Sequence, residues 1–213
     1  MLVAPSMLAA DFGNMATEVK NIEKWGADIV HADVMDGVYV PNITFGMPMI
    51  KAFRQNSTLP IDAHLMITKP EKYVGKFCDA GADIVTFHPD ASDDVQGALD
   101  IIKSKGKKCG LVVNADVDFD VVKPYLGQID MLVIMTVQAG FGGQSFMPLC
   151  LAKAKLGATE REKHGYKYLI EVDGGVSEKN IVLLKEAGVD IAVAGSSVFK
   201  SDNPQKTIES LHI

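Results

Sequence analysis

The chain repeats one short stretch three times, as WGADIV at 25–30, AGADIV at 80–85 and AGVDIA at 187–192. Each copy has a glycine, then an aspartate, then the start of an apolar run. A glycine at this place suits the left-handed end of a helix, and a short apolar run of this kind is typical of a buried strand. The repeat therefore predicts a helix-to-strand junction that recurs along the chain.

Eight apolar runs of strand length follow this pattern, and segments with helical apolar spacing lie between most of them. The expected strands cover residues 3–8, 29–34, 61–67, 84–87, 110–113, 131–137, 168–172 and 191–194. The 213 residues divided by eight give units of about 27 residues, a compact β-loop-α length. We therefore expect an α/β protein in which residues 1–213 form one (β/α)8 TIM barrel domain.

An open, doubly wound sheet also alternates strands and helices, and it is the competing architecture. It is disfavoured because no GxGxxG motif follows the first expected strand. The glycine-rich segments instead come late, at 140–143, at 174–175 and at Gly195. Glycines after strands six, seven and eight match the usual phosphate site of a barrel.

Composition excludes several classes of protein. The chain is 47% apolar and 23% charged, with a net charge of −6, and its longest apolar run is far shorter than the ~18 residues that span a bilayer. The first dozen residues lack a basic segment, so we expect a cytoplasmic protein without a secretory signal. Three cysteines in no CxxC pair argue against disulfides or structural zinc. Without a long basic cluster we expect no nucleic-acid partner.

Polar side chains lie near the ends of three expected strands. Because alternate residues of a strand share a face, His31 and Asp33 point the same way on strand two. His64 takes the equivalent place on strand three, and Asp173 on strand seven. The carboxyl ends of barrel strands carry the active site, so these four side chains are expected to converge.

Two imidazoles and two carboxylates suit one divalent metal ion. A mixed nitrogen and oxygen set fits zinc, iron(II), manganese or cobalt better than calcium or magnesium. A single histidine on a strand is more often an ordinary core residue, and the hypothesis therefore depends on all four groups together. We interpret Asp62 and Glu171, which lie deeper, as structural partners, and His88 as a solvated or supporting residue.

Backbone N–H groups of the late glycines are candidates for binding a phosphate, which needs no basic side chain. These groups belong to Gly142, Gly143, Gly174, Gly175, Gly195 and Ser196. The loop 140–148 is long enough to close over a ligand, with Phe141 and Phe146 on its apolar underside.

Six ordered motifs resemble one family, the ribulose-phosphate 3-epimerases, including the allulose-6-phosphate 3-epimerase branch. They are APSMLAADF at 4–12, HADVMDGVYVPNITFG at 31–46, DAHLMITKPEKY at 62–73, MTVQAGFGGQSF at 135–146, EVDGGV at 171–176 and VAGSSVF at 193–199. The resemblance implies a barrel of the ribulose-phosphate-binding type. It places metal ligands at His31, Asp33, His64 and Asp173, acid/base residues at Asp33 and Asp173, and substrate contacts at Ser6 and His64. It also implies phosphate contacts at 140–143, Gly140 and Phe141 included, and at Gly195 and Ser196.

Epimerisation at carbon 3 of a 2-ketose requires one group to remove a proton and another to return it on the opposite face. Asp33 and Asp173 suit these two roles. A bound metal ion, preferably zinc, would polarise the carbonyl of the substrate. Met35, Met66 and Met135 are candidates for an apolar lining of the pocket. The expected reaction interconverts D-ribulose 5-phosphate and D-xylulose 5-phosphate.

D-Allulose 6-phosphate is the alternative substrate, because Val38 and Ala139 depart from the family pattern. A barrel decarboxylase is disfavoured, since its DxKxxD motif is replaced by DAHLM at 62–66, and a non-catalytic sugar-phosphate sensor has no need of paired carboxylates. The resemblance also implies a sugar-phosphate ligand and a homo-oligomer, with no membrane partner.

Overall fold

The computed structural model describes residues 1–213, and its eight strands form one parallel sheet in the order β1-β8-β7-β6-β5-β4-β3-β2. The strands are β1 (Leu2–Pro5), β2 (Val30–Met35), β3 (Ile61–Met66), β4 (Ile84–Phe87), β5 (Lys108–Val113), β6 (Met131–Met135), β7 (Leu169–Asp173) and β8 (Ile191–Ala194). A bridge between Ser6 and His31 joins the two ends of the sheet. The predicted (β/α)8 barrel is confirmed.

Eight helices cover the outside of the sheet. They are α1 (Met15–Lys24), α2 (Met47–Asn56), α3 (Val74–Ala80), α4 (Val95–Ser104), α5 (Leu151–His164), α6 (Ile181–Glu186), α7 (Ser196–Phe199) and α8 (Pro204–Leu211). None of them is long and apolar enough to cross a membrane. Apolar side chains of the helices and of the outward strand faces form the main core.

The repeated junctions work as the sequence predicts. Their glycines all have positive φ, between 81° and 116°, and they end helices. The aspartate of each junction accepts a hydrogen bond from a backbone N–H of the preceding strand: Asp28 from Val3, Asp83 from Ile61 and Asp190 from Ile170. Each repeat therefore stops a helix and ties the new strand to its neighbour.

Three details differ from the sequence prediction. No α-helix connects β5 to β6, and two 3₁₀ turns, Phe119–Val121 and Lys123–Tyr125, take its place. The first strand was predicted too long, because it stops at Pro5 and the side chain of Ser6 then caps the turn Met7–Ala9. The sixth strand likewise stops at Met135 rather than at residue 137.

The inside of the barrel is divided into an apolar and a polar part. Side chains such as Ala4, Ile84 and Val133 fill the part next to β1, β4 and β6. Polar side chains from β2, β3 and β7 fill the rest, and they are buried: His31, Asp33, Asp62, His64 and Glu171. The polar part is the floor of the site described next.

Candidate active site

Strand register brings the four predicted metal ligands together. Asp33 of β2 lies opposite His64 of β3, and Asp173 is the last residue of β7. His31 Nε2 is 3.4 Å from Asp33 Oδ1 and 3.8 Å from Asp173 Oδ2. His64 Nδ1 is 3.5 Å and 3.4 Å from the same two oxygens. The four atoms therefore surround a common point.

These separations fit a metal ion better than a hydrogen-bonded cluster. They exceed ordinary hydrogen-bond lengths, and the buried atoms His31 Nε2 and His64 Nδ1 have no hydrogen-bond partner. Four ligands at about 2.1 Å around one tetrahedral ion would lie about 3.4 Å from each other. The observed distances are close to that value, so these residues fit one divalent ion.

Each histidine is held from its other side. His31 Nδ1 is 2.8 Å from Asp62 Oδ2 and 3.5 Å from Glu171 Oε1, although neither contact is aligned as a hydrogen bond. His64 Nε2 is 2.9 Å from His88 Nε2. The contacts direct the free nitrogen of each ring toward Asp33 and Asp173. His88 is fully buried, so it is a supporting residue and not a solvated one.

The carboxylates around His31 and His64 favour the positively charged form of both imidazoles. Burial alone would lower the pKa of His31, but Asp33 and Asp62 hold it well above its ordinary value. The pKa of His64 is likewise raised, against burial, by Asp173 and Asp33. Burial would raise the pKa of Asp33, but the two imidazoles keep it far below its usual range. Asp33 is therefore ionised at neutral pH.

The deeper carboxylate of Glu171 behaves differently. Burial raises its pKa well above the ordinary value, and the charge of Asp62 raises it further. Burial therefore favours the protonated form of Glu171, whereas the imidazoles favour the ionised form of Asp33. The same burial, together with His64, lowers the pKa of His88 well below its usual value, which keeps that ring neutral.

A cavity of about 340 Å³ opens above the cluster. It is lined by both carboxylates of the cluster and by most of the predicted substrate residues: Ser6, Gly140, Phe141, Gly142, Gly143, Gly174, Gly175, Gly195 and Ser196, with Met35, Met66 and Met135. His64, which the resemblance also gave as a substrate contact, is a fully buried part of the floor and does not line the cavity. Ser6, which lines the cavity, is hydrogen-bonded to the floor, because its hydroxyl donates to Asp33 Oδ2 at 2.5 Å.

One end of this cavity offers unpaired backbone donors. The N–H groups of five lining glycines donate no hydrogen bond within the protein: Gly142, Gly143, Gly174, Gly175 and Gly195. Converging N–H groups of this kind bind anions. The loop that carries the first two is held by Asn42, whose Nδ2 donates to the carbonyl of Gly140 at 3.1 Å. Phe141 is half exposed above the cavity, whereas Phe146 packs against the core and does not line it.

Sequence reasoning missed several lining residues: Leu8, Ala9, Val137, Gln138, Ala139, Gln144, Val176, Ser177, Val193, Ser197 and Lys200. Ser177 and Ser197 each lie two residues beyond a predicted glycine, and this spacing was a usable signal. Lys200 follows α7, and no local pattern marks it. It is the one basic side chain among the lining residues.

The fold and the site define a class of protein, a (β/α)8 barrel with a buried His/Asp cluster that could hold a metal ion, below a mouth formed by the unpaired backbone N–H groups of the five lining glycines. Solved structures share the fold: a 3-hexulose-6-phosphate synthase at a TM-score of 0.72 and 19% identity, over 99% of this chain and 98% of that one. KGPDC from Streptococcus mutans in complex with D-R5P has a TM-score of 0.77 and 15% identity, over 98% of this chain and 94% of that one.

Closer relatives identify the family. Residues 2–199 match the model of the ribulose-phosphate 3 epimerase family. Ribulose-phosphate 3-epimerase of Bacillus subtilis is 42% identical over 98% of this chain and 97% of its own. The Escherichia coli K12 protein of the same name is 41% identical over 99% of this chain and 94% of its own. The chain belongs to the ribulose-phosphate 3-epimerase family.

Proposed function

We propose that this protein is a metal-dependent ketose-phosphate 3-epimerase that interconverts D-ribulose 5-phosphate and D-xylulose 5-phosphate. One observation carries the proposal: two carboxylates, from β2 and β7, meet at one point between two imidazoles and beside unpaired backbone amides. The relatives named above carry the same activity in their names, which favours a pentulose phosphate over D-allulose 6-phosphate.

Asp33 is proposed as one acid/base residue. Its Oδ1 faces the two imidazoles, and its Oδ2 accepts the hydroxyl of Ser6. The two imidazoles lower the pKa of Asp33 and so keep it ionised, which is the form that can accept a proton. Ser6 orients that carboxylate toward the cavity and supplies a hydroxyl that can exchange partners when the substrate binds.

Asp173 is proposed as the second acid/base residue. It lies on β7, across the barrel from β2, and its side chain is 13% exposed, against 6% for Asp33. A substrate between the two strands would present opposite faces of carbon 3 to the two carboxylates. One removes the proton to give an enediolate and the other returns a proton from the far side, which inverts the carbon.

His31, Asp33, His64 and Asp173 would hold the divalent ion, for which zinc is our first choice. When bound, the ion supplies Lewis-acid stabilisation of the negative charge on the enediolate oxygens. Met35, Met66 and Met135, all nearly fully buried, would exclude water from the reacting carbon. The glycine amides would hold the phosphate at the opposite end of the cavity.

The test is carbon 3 proton exchange in metal-reconstituted protein, with ribulose 5-phosphate in D₂O and NMR detection. Asp33→Asn and Asp173→Asn are each expected to lower exchange and product formation by at least about 100-fold. Asp100→Asn is the matched control, because Asp100 lies on α4 outside the cavity and its side chain accepts a hydrogen bond from Gln96. Substantial epimerisation by either site variant would refute the assignment.

Substrate length is tested separately by comparing ribulose 5-phosphate with D-allulose 6-phosphate on the same preparation. We expect kcat/KM to favour the pentulose. A large preference for the hexulose would change the substrate and leave the two-carboxylate mechanism intact, because carbon 3 has the same neighbours in both ketoses.

We further propose that residues 1–213 act as one domain, since all eight strands belong to one sheet, and that the protein works as a homo-oligomer in the cytoplasm. Cys78, Cys109 and Cys150 are all unpaired and buried, which suits a reducing compartment. Sedimentation of the metal-loaded protein tests the oligomeric state; a monomer at micromolar concentration would contradict it.

A further inference from the structure

We propose that Lys200 is the side chain that recognises the phosphate of the substrate and so favours phosphorylated over free ketoses. The inference rests on the proposed function for the substrate, but it is drawn from charge and placement within the cavity. It also changes the expectation from sequence, in which backbone amides alone held the anion.

The cavity has two chemically different ends. Its two acidic lining residues, Asp33 and Asp173, both lie at the cluster, and Lys200 is its one basic lining residue. Lys200 comes directly after α7, and its backbone N–H bonds back to the carbonyl of Ser196. Gly195 and Ser196 precede it on the same turn of chain. Lys200 therefore lines the cavity on the same short segment as Gly195, which carries one of the unpaired amides.

The ammonium of Lys200 is not committed to any partner within the protein. Other lysines pair with carboxylates at 2.5–2.9 Å, namely Lys69, Lys105, Lys107 and Lys123. Lys153 donates to three backbone carbonyls. Lys200 makes neither kind of contact, as is true of most lysines in the chain, and it differs from the other unpaired lysines in lining the cavity. A free cation at the wall of a cavity is available to a ligand.

The negative net charge of the chain explains why a cation at this place would matter for phosphate binding. A net charge of −6 opposes the approach of a phosphate dianion, and the two carboxylates at the floor add to that repulsion. Backbone N–H groups carry only partial charges. A lysine at the rim offsets the repulsion locally, and because it is exposed, its effect is screened by salt.

The experiment compares Lys200→Gln, Lys200→Arg and Lys200→Glu in the metal-loaded protein. Lys200→Gln is expected to raise KM for ribulose 5-phosphate about three- to tenfold at low ionic strength, with kcat unchanged. Lys200→Arg keeps the charge and should stay near the unmodified protein, whereas Lys200→Glu should exceed Lys200→Gln. The differences should shrink in about 0.5 M salt, because screening shortens the reach of the charge.

Lys206→Gln is the matched control. It makes the same change in net charge on α8, outside the cavity and without an ion pair, and its KM should not move. If Lys200→Gln and Lys206→Gln have equal KM values, or if kcat falls instead of KM rising, the role of Lys200 is refuted.

Binding of inorganic phosphate, measured by calorimetry, separates this proposal from the proposed function. A weaker phosphate affinity in Lys200→Gln supports the role of Lys200 even if the protein does not epimerise ribulose 5-phosphate. An active enzyme whose phosphate affinity is the same with and without Lys200 contradicts the role and leaves the proposed function standing.

Discussion

The two ends of the cavity bind with different parts of the chain. At the floor, side chains on β2, β3 and β7 point inward, and their spacing follows from strand register. At the mouth, backbone N–H groups of loop glycines offer the hydrogen-bond donors, and several of these glycines have positive φ. The floor is buried and tied to the sheet, whereas much of the mouth is exposed. We infer that substitutions in the floor affect chemistry and metal binding, and those at the mouth affect affinity.

His31→Ala should have the largest effect. It removes one of the four proposed metal ligands and leaves Asp62 and Glu171 buried without their imidazole. We expect kcat/KM to fall by at least about 1,000-fold and bound metal, measured by mass spectrometry, to fall below one tenth. His164→Ala is the control, because His164 lies on α5 and contacts only Glu160 and Tyr166. Retained metal in His31→Ala would show that the cluster is not the site.

Asp62→Asn tests the floor from below. The side chain contacts His31 on the side away from the cavity, and outer partners of metal-bound histidines contribute about 10- to 100-fold in metal affinity. We expect zinc affinity to weaken by that factor while KM for the ketose phosphate changes little. A higher KM with unchanged zinc affinity would contradict the expectation that the floor controls metal binding and the mouth controls substrate affinity.

Gly175→Ala and Gly143→Ala test the mouth as a pair. Both glycines have positive φ, 67° and 74°, so each alanine costs about 1–2 kcal/mol of stability. A Cβ at Gly175 would lie 2.5 Å from the backbone nitrogen of Phe146, whereas none of the protein's atoms lies within 4 Å at Gly143. We expect KM to rise about tenfold for Gly175→Ala and less than about threefold for Gly143→Ala. Equal KM values would contradict a shaped backbone site.

Glu171→Gln should have the smallest effect. Since burial raises the pKa of Glu171 and so favours the neutral carboxyl in the folded state, glutamine is a close substitute. The unfolded chain releases this proton as pH rises above about 4.3 and the folded chain holds it to higher pH, so the carboxyl destabilises the fold progressively over that range. Urea unfolding of metal-free protein should therefore show the variant gaining about 1 kcal/mol or more over the original between pH 5 and pH 8. A gain toward low pH would refute a neutral Glu171.

Much of the floor could be predicted from sequence because two simple rules cover it. Strand alternation places His31 beside Asp33, and the polarity of a parallel barrel brings His64 and Asp173 to the same end. Neither rule requires knowledge of how the side chains pack. The contact between His64 and His88 was not predicted, because it depends on how the chain turns after β4.

The mouth was harder to predict for the same physical reason. Glycines mark where backbone is exposed, but they do not show which side chains approach it. Lys200 lines the cavity directly after α7, which is one turn long, and Ser177 and Ser197 line the same cavity. The connection between β5 and β6 was also open to misreading, since its apolar residues suit 3₁₀ turns as well as a helix.

The place where the barrel closes has one more consequence. β1 and β2 meet through a single bridge, from Ser6 to His31, and the hydroxyl of Ser6 reaches Asp33 across that same seam. A ligand bound to these residues would stabilise the contact between β1 and β2, which is held by this single bridge. Its binding energy would therefore oppose local opening between the two strands. Amide hydrogen exchange in residues 2–6 and 28–33 should then slow more on metal binding than exchange in β4 and β5.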